Sequence, residues 1–168
     1  MPDITLEPRT AAHAEALFPM LSEPEIYQYL DERPPSSLGA LQQRFARSES
    51  LKSPDGTEDW LNWVVLDESG STVGMVQTTI FSNADANVAY VFGRAYWGRN
   101  LAYRAVENML GKVIAGYEVK RFIVTIERDH ERSIRLASRL GFVRADASES
   151  AARKIAESEI LMVMAVRT

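Results

Sequence analysis

The hydrophobic period changes along the chain and divides it into elements. Ile4, Leu6 and Pro8 alternate with polar residues as a short opening strand, and Thr10 then stands where it can cap a helix whose Ala14, Leu17, Phe18 and Leu21 share one face. The Pro34-Pro35 pair interrupts the pattern, and a second helix is expected from about Ser37 to Ser48. The stretches Pro34 to Leu38 and Ser50 to Glu58 read as loops. A period of two then runs through Trp60 to Leu66, Thr72 to Phe81 and Val88 to Phe92, which are rich in valine, threonine and aromatic residues. Asp67-Glu68-Ser69-Gly70 and Ser82-Asn83-Ala84-Asp85 separate them as turns, so an antiparallel meander of three strands is predicted. After Gly98, the residues Leu101, Ala102, Ala105, Val106, Met109, Leu110, Val113 and Ile114 form one continuous apolar stripe, the mark of a helix lying on the sheet. Phe122, Val124 and Ile126 make another strand. Asp129 or His130 can cap a helix carrying Ile134, Ala137 and Leu140, and Gly141 can close it with a left-handed residue. The apolar run Ile160 to Val166 reads as a buried final strand.

This order of elements predicts an α/β (α+β) domain around one central, mixed, twisted sheet of six or seven strands with about four helices. Residues 1–168 contain no repeat, no low-complexity segment and no linker, so a single domain is expected. At 168 residues the core needs no disulfide or structural metal to sustain it. The chain has no cysteine, which excludes thiolate metal sites and a covalent acyl-cysteine intermediate. Nineteen Lys and Arg against 23 Asp and Glu give a net charge of −4, no footprint for nucleic acid. The opening MPDITLEPRT lacks the form of a signal peptide, and no apolar run is long enough to cross a membrane, so a cytoplasmic location is expected.

The chemistry concentrates in Val88-Ala89-Tyr90-Val91-Phe92-Gly93-Arg94-Ala95-Tyr96-Trp97-Gly98-Arg99-Asn100-Leu101-Ala102. A strand there turns through glycine directly into a long helix, whose first free N–H groups and positive dipole end form a natural anion site. Gly98 allows a phosphate to approach the backbone, and Arg94 and Arg99 flank the turn with positive charge. By itself a strand-to-helix turn of this kind is equally compatible with a plain turn and solvated arginines. A second segment, His130-Glu131-Arg132-Ser133-Ile134-Arg135-Leu136-Ala137-Ser138-Arg139-Leu140-Gly141-Phe142, follows one strand later and ends a helix on Gly-Phe.

Together the two segments resemble the GNAT superfamily of acetyl-coenzyme-A-dependent N-acetyltransferases, most of all its Rim-type branch, which includes enzymes acting on ribosomal-protein amino termini. The segment Leu21 to Leu30 also resembles the substrate-side helix of that branch. The resemblance implies acetyl-CoA as co-substrate and no metal. It implies that the backbone amides of Gly98, Arg99, Asn100, Leu101, Ala102 and Tyr103 hold the pyrophosphate, that Val91 and Phe92 pair with the pantetheine arm as an added strand, and that Ser133 faces the thioester. Several positions depart from the family pattern: Asn87, Ala95, Asn100 in place of a second glycine, His130 in place of asparagine, and Ala137 where a tyrosine acid is common.

The implied reaction is attack of a neutral primary amine on the thioester by direct transfer in a ternary complex, with an oxyanion held by a backbone N–H near Val91 or Phe92. Ser133 and His130 are the candidate catalytic side chains, although both sit where serine and histidine also serve as local caps. Tyr90, Tyr96 and Tyr103 can each supply a hydroxyl, while aromatic residues at such a junction more often pack in the core. The acidic residues Glu23, Glu25, Asp31 and Glu32 lie in the segment expected to roof the acceptor, and Trp60 and Trp63 have opposite parity, so at most one would line it. The expected partner is an amine-bearing small molecule or a peptide or protein amino terminus; a homodimer is compatible with the sequence. Two other readings are a coenzyme-A-binding module without catalysis and, more remotely, a dinucleotide-dependent oxidoreductase, which lacks its G-x-G-x-x-G.

Overall fold

A computed structural model describes residues 3–167, so the ends of the expected 1–168 domain lie outside it. Seven strands form one sheet in the order β1-β2-β3-β4-β5-β7-β6, from β1 (Ile4–Pro8), β2 (Asp59–Asp67), β3 (Thr72–Ile80), β4 (Asp85–Phe92), β5 (Arg121–Glu127), β6 (Val143–Arg144) and β7 (Glu159–Ala165). Five helices accompany it: α1 (Ala14–Leu21), α2 (Leu38–Ser48), α3 (Leu101–Gly116), α4 (Glu131–Leu140) and α5 (Ala147–Ala152).

Strands β2, β3 and β4 form the expected meander, although β4 begins at Asp85, three residues before Val88. Leu61, Val65, Val76, Val88 and Phe92 face one side of the sheet and pack under the buried stripe of α3. Leu101, Val106 and Met109 are fully buried there, each contributing about 1.5–3 kcal/mol of hydrophobic stabilisation. The other face carries α1 and α2, with Leu17, Leu41 and Phe45 closing over Val64 and Met75. The helix expected at Thr10 starts as a 3-10 turn (Ala11–His13) before α1, its first N–H groups partly satisfied locally: His13 Nδ1 accepts from the Thr10 N–H at 3.0 Å. The segment resembling a Rim-type helix, Leu21 to Leu30, holds the last residue of α1 and the 3-10 turn Pro24–Tyr27 in place of a continuous helix.

Among the described residues β4 and β5 are the only parallel neighbours, and their pairing ends after three residues, at Asn87 opposite Ile123. At that closed end Asp85, 5% exposed, receives two hydrogen bonds from Arg121 at 2.9 and 3.1 Å and a further one from Arg153. Burial pushes the Asp85 carboxyl up, but the bonds and charge of Arg121 and then Arg153 outweigh it and hold it below the ordinary range. The Arg153 contact is made from beyond α5, the helix the sequence pattern did not reveal. The helix begins on Asp146, whose side chain accepts the Glu149 N–H at 2.8 Å. Beyond the clamp β4 continues to Phe92 and β5 to Glu127 without pairing, so the two strands open a wedge in the sheet.

Candidate active site

The wedge is a cleft of about 350 Å³, floored by β4, walled by α3 and α4, and roofed by Ile26, Tyr29 and Leu30 from the segment after α1. With β5 gone beyond Ile123, one edge of Val88 to Phe92 has no strand partner among the described residues, leaving backbone N–H and C=O groups free for an extended ligand. Gly74 on β3 explains how β4 is seated: a Cβ there would lie 2.6 Å from both the Phe92 ring and the Val91 carbonyl. The Phe92 carbonyl already accepts the Trp97 indole N–H at 2.9 Å, and the Arg132 guanidinium lies 4.0 Å from that ring on α4's side.

The two ends of the cleft differ in chemistry. At one end, Gly98 and Asn100 both take left-handed backbone, with φ of 75° and 63°, and wrap the chain into α3. No side chain caps that helix and no acid lies in its first turn, so the N–H groups of Leu101, Ala102 and Tyr103 remain available to a ligand. A Cβ on Gly98 would meet nothing within 4 Å, which marks open space over the turn. Arg139 reaches across from α4, donates to Asn100 Oδ1 at 3.0 Å and stacks on Tyr103 at 4.3 Å. Arg132, Arg135 and Arg139 line this cleft, and the only acid lining it is Glu25. That end is built to hold an anion.

At the other end the lining is aromatic. Tyr29 stacks on His130 with ring centroids 4.1 Å apart and an 11° tilt. Burial, and then the charge of Arg132, push the His130 pKa down to about 4, so the imidazole is neutral near pH 7. The Tyr90 hydroxyl is hydrogen-bonded to Ser133 Oγ across the mouth of the wedge. Burial raises the Tyr90 pKa against the opposing pull of the Ser133 bond and so keeps the phenol protonated.

Of the residues expected from sequence, Val91, Phe92, Gly98, Asn100, Leu101, Ala102, Tyr103, His130 and Ser133 all line the cleft. Arg94 and Arg99 do not. Arg94 turns to Glu25 at 3.3 Å while its N–H binds Glu23 at 3.0 Å; Arg99 lies 5.7 Å over the Tyr96 ring. Of the expected acidic roof, Glu25 pairs with the Arg94 side chain, Glu23 accepts only the Arg94 backbone N–H, Glu32 lies 3.8 Å from Arg44, and Asp31 is exposed outside the cleft lining. Neither Trp60 nor Trp63 reaches the cleft: Trp63 packs in the core beneath α3 and the Trp60 indole donates to Glu58. Sequence reasoning missed the α4 arginines, although their spacing at 132, 135 and 139 follows one helical face.

The acetyltransferase (GNAT) domain model matches residues 3–143. The chain belongs to the GNAT acetyltransferase family. A Bacillus licheniformis protein described as the uncharacterized N-acetyltransferase p20 is 22% identical over 141 residues, covering 83% of this chain and 78% of its own length. Among solved structures, RimL, a ribosomal alpha-N-protein acetyltransferase in complex with coenzyme A, superposes with a TM-score of 0.80 at 15% identity, over 97% of this chain and 94% of that one. Spermidine N-acetyltransferase from Vibrio cholerae with CoA and spermine gives 0.76 at 14% identity, over 96% and 95%. At such identities these structures establish the shared GNAT fold. In this member of the family the wedge between β4 and β5 carries three arginines of α4 on one wall. Among the described residues no group of three or more His, Asp or Glu is placed to hold a metal, and no helix is long and apolar enough to cross a membrane.

Proposed function

We propose that the chain transfers an acetyl group from acetyl-CoA to a primary amine carried on an apolar body, by direct transfer in a ternary complex. The observation that carries this reading is the two-ended cleft: left-handed Gly98 and Asn100 with the free end of α3 and Arg139 at one end, and Tyr29, Ile26, Leu30 and Tyr90 at the other. The anionic end fits a pyrophosphate, and the unpaired edge of Val88 to Phe92 fits the amides of a pantetheine arm. Bound acetyl-CoA supplies the activated acetyl thioester.

The residues of the chain then have separable roles. Tyr90 Oη holds a proton at the mouth of the wedge, where a departing thiolate needs one, and Ser133 Oγ orients it. His130, held near pKa 4, is a poor base toward an alkyl ammonium and instead fixes Tyr29 as an acceptor wall. With no cysteine in the chain, the amine attacks the acetyl carbon directly. Among the described residues Glu25 is the one acid lining the cleft, and it is paired with Arg94, so a polycation finds little counter-charge there. A single amine beside apolar groups fits better, as at a peptide amino terminus of the kind RimL acts on, and a small aromatic amine meets the same chemistry.

The test is calorimetric titration with acetyl-CoA followed by thiol release against apolar peptides, aromatic amines, spermidine and an aminoglycoside. Saturable binding with turnover on the apolar amines is expected. Absence of binding by folded protein overturns the reading, turnover confined to the polycations overturns the acceptor class, and binding without thiol release from any amine leaves a coenzyme-A-binding module.

A further inference from the structure

On the opposite face of the sheet from α3, a pocket of about 240 Å³ lies between α2 and strands β2 and β3. Arg9, Arg44, Arg47, Ser48, Asn62 and Gln77 line it, and no acid does. Arg9 follows β1 and pairs its N–H with the Asn62 carbonyl at 3.0 Å, which turns its side chain onto this face. The residue is 7% exposed, yet among the described residues no carboxylate lies within ion-pair distance of it. Its partners are all neutral: the Ser48 hydroxyl at 3.0 Å, the Met75 sulfur at 3.5 Å and the Phe45 ring at 4.2 Å. Its Nε, fully buried, has no acceptor.

A buried guanidinium without an anion is costly, because desolvation is not repaid by a counter-charge. Burial, and then the nearby Arg44 charge, push its pKa down to about 10, so it stays cationic at neutral pH. Arg44 has only a distant partner in Glu32, 3.8 Å away and largely exposed. Three guanidinium groups around one small, acid-free pocket call for more than one negative charge. Guanidinium forks and the Asn62 and Gln77 amides match the several acceptor oxygens of a tetrahedral oxyanion.

We infer that this pocket binds a small dianionic oxyanion of the phosphate class, at a site separate from the β4–β5 cleft. The inference does not depend on the acetyltransferase reading, since no residue lines both pockets. Trp60 lines this pocket and Trp97 lines the cleft, so their indole N–H resonances report the two sites separately.

The experiment is titration of 15N-labelled full-length protein with inorganic phosphate, following both indole signals. A saturable shift of Trp60 is expected. Arg44→Gln should weaken it about tenfold and Arg9→Met should abolish it, whereas Arg139→Gln should leave it unchanged while removing any response at Trp97. Acetate, a monoanion, should bind more weakly than phosphate. If Arg9→Met does not fold, Arg44→Gln alone decides. A Trp60 signal that does not saturate, that is indifferent to Arg44→Gln, or that responds equally to acetate overturns the inference.

Discussion

Gly98→Ala separates backbone strain from ligand exclusion, because Gly70 shares its conformation and lies away from the cleft. Gly98 has φ of +75°, where an L side chain costs about 1–2 kcal/mol. A Cβ there meets nothing within 4 Å, so no steric cost within the protein adds to that strain. For a domain of this size 1 kcal/mol corresponds to about 2–4 °C in Tm, and a fall of about 2–8 °C is expected. The same Cβ enters the space over the first turn of α3, where a pyrophosphate must approach the backbone. Losing two charge-assisted hydrogen bonds there costs about 3–6 kcal/mol of binding, or roughly a hundredfold to ten-thousandfold in Kd. Gly70, with φ of +81° and equally open space in the turn between β2 and β3, is the control. Gly70→Ala should lower Tm by a similar amount and leave affinity intact. Thermal unfolding followed by circular dichroism, with calorimetric titration of acetyl-CoA, measures both quantities for both variants. If Gly98→Ala binds acetyl-CoA within about threefold of the parent, the turn does not hold the phosphates.

Tyr90→Phe removes the buried phenol while keeping its ring, and kcat should fall by about a hundredfold or more with KM for acetyl-CoA little changed; steady-state thiol release reads the split. His130 should titrate with a midpoint near 4 by NMR, and Tyr29→Ala, which opens one face of the imidazole to water, should move it back toward 6.5. Because its folded pKa lies below the unfolded one, the contribution of His130 to stability is present above about pH 6.5 and is lost as pH falls toward 4, and Tyr29→Ala should flatten that dependence in urea unfolding. Asp85→Asn leaves Arg121 and Arg153 with Glu149 as their remaining carboxylate and should destabilise by about 1–3 kcal/mol in urea unfolding. Thr78→Val should raise stability by about 1 kcal/mol: Thr78 is 1% exposed, lies opposite Leu61 and Val88 in the sheet, and its hydroxyl has no partner.

The fold was legible where one face of an element dictates its residues. The stripe from Leu101 to Val113 on α3 answers to burial on one side, and the valine-rich runs of β2 and β3 answer to burial on both, so burial writes itself into the pattern. The helix α5 left no such trace. Its six residues bury nothing, and it is held by the Asp146 cap and by ion pairs from Glu149 and Arg153 to a cluster whose other members, Asp85 and Arg121, lie far away in sequence. Left-handed Ala84 and Lys154 are similarly opaque, since neither residue type favours the conformation and the surrounding chain imposes it.

The site divides along the same physical line. The backbone of the turn was readable because it depends on local geometry: a strand, a glycine at positive φ, an asparagine that tolerates the same region, and a helix start. Side-chain contacts were not, because charge acts through space and only the fold decides which charges meet. Arg94 and Arg99 sit beside the turn in sequence, yet the segment after α1 brings Glu23 and Glu25 to Arg94, and Arg99 lies over Tyr96. The positive wall comes instead from α4, one strand later, where Arg132 and Arg139 are held over Trp97 and Tyr103. Their guanidinium carbons lie 4.0 and 4.3 Å from the ring centroids, closer than Arg99 lies to Tyr96 at 5.7 Å, and cation–π attraction is strongest at such short range. The pairing of Arg132 with Trp97 and of Arg139 with Tyr103 is thus what joins the charge of α4 to the strand-to-helix turn, and it is visible only once α3 and α4 are side by side.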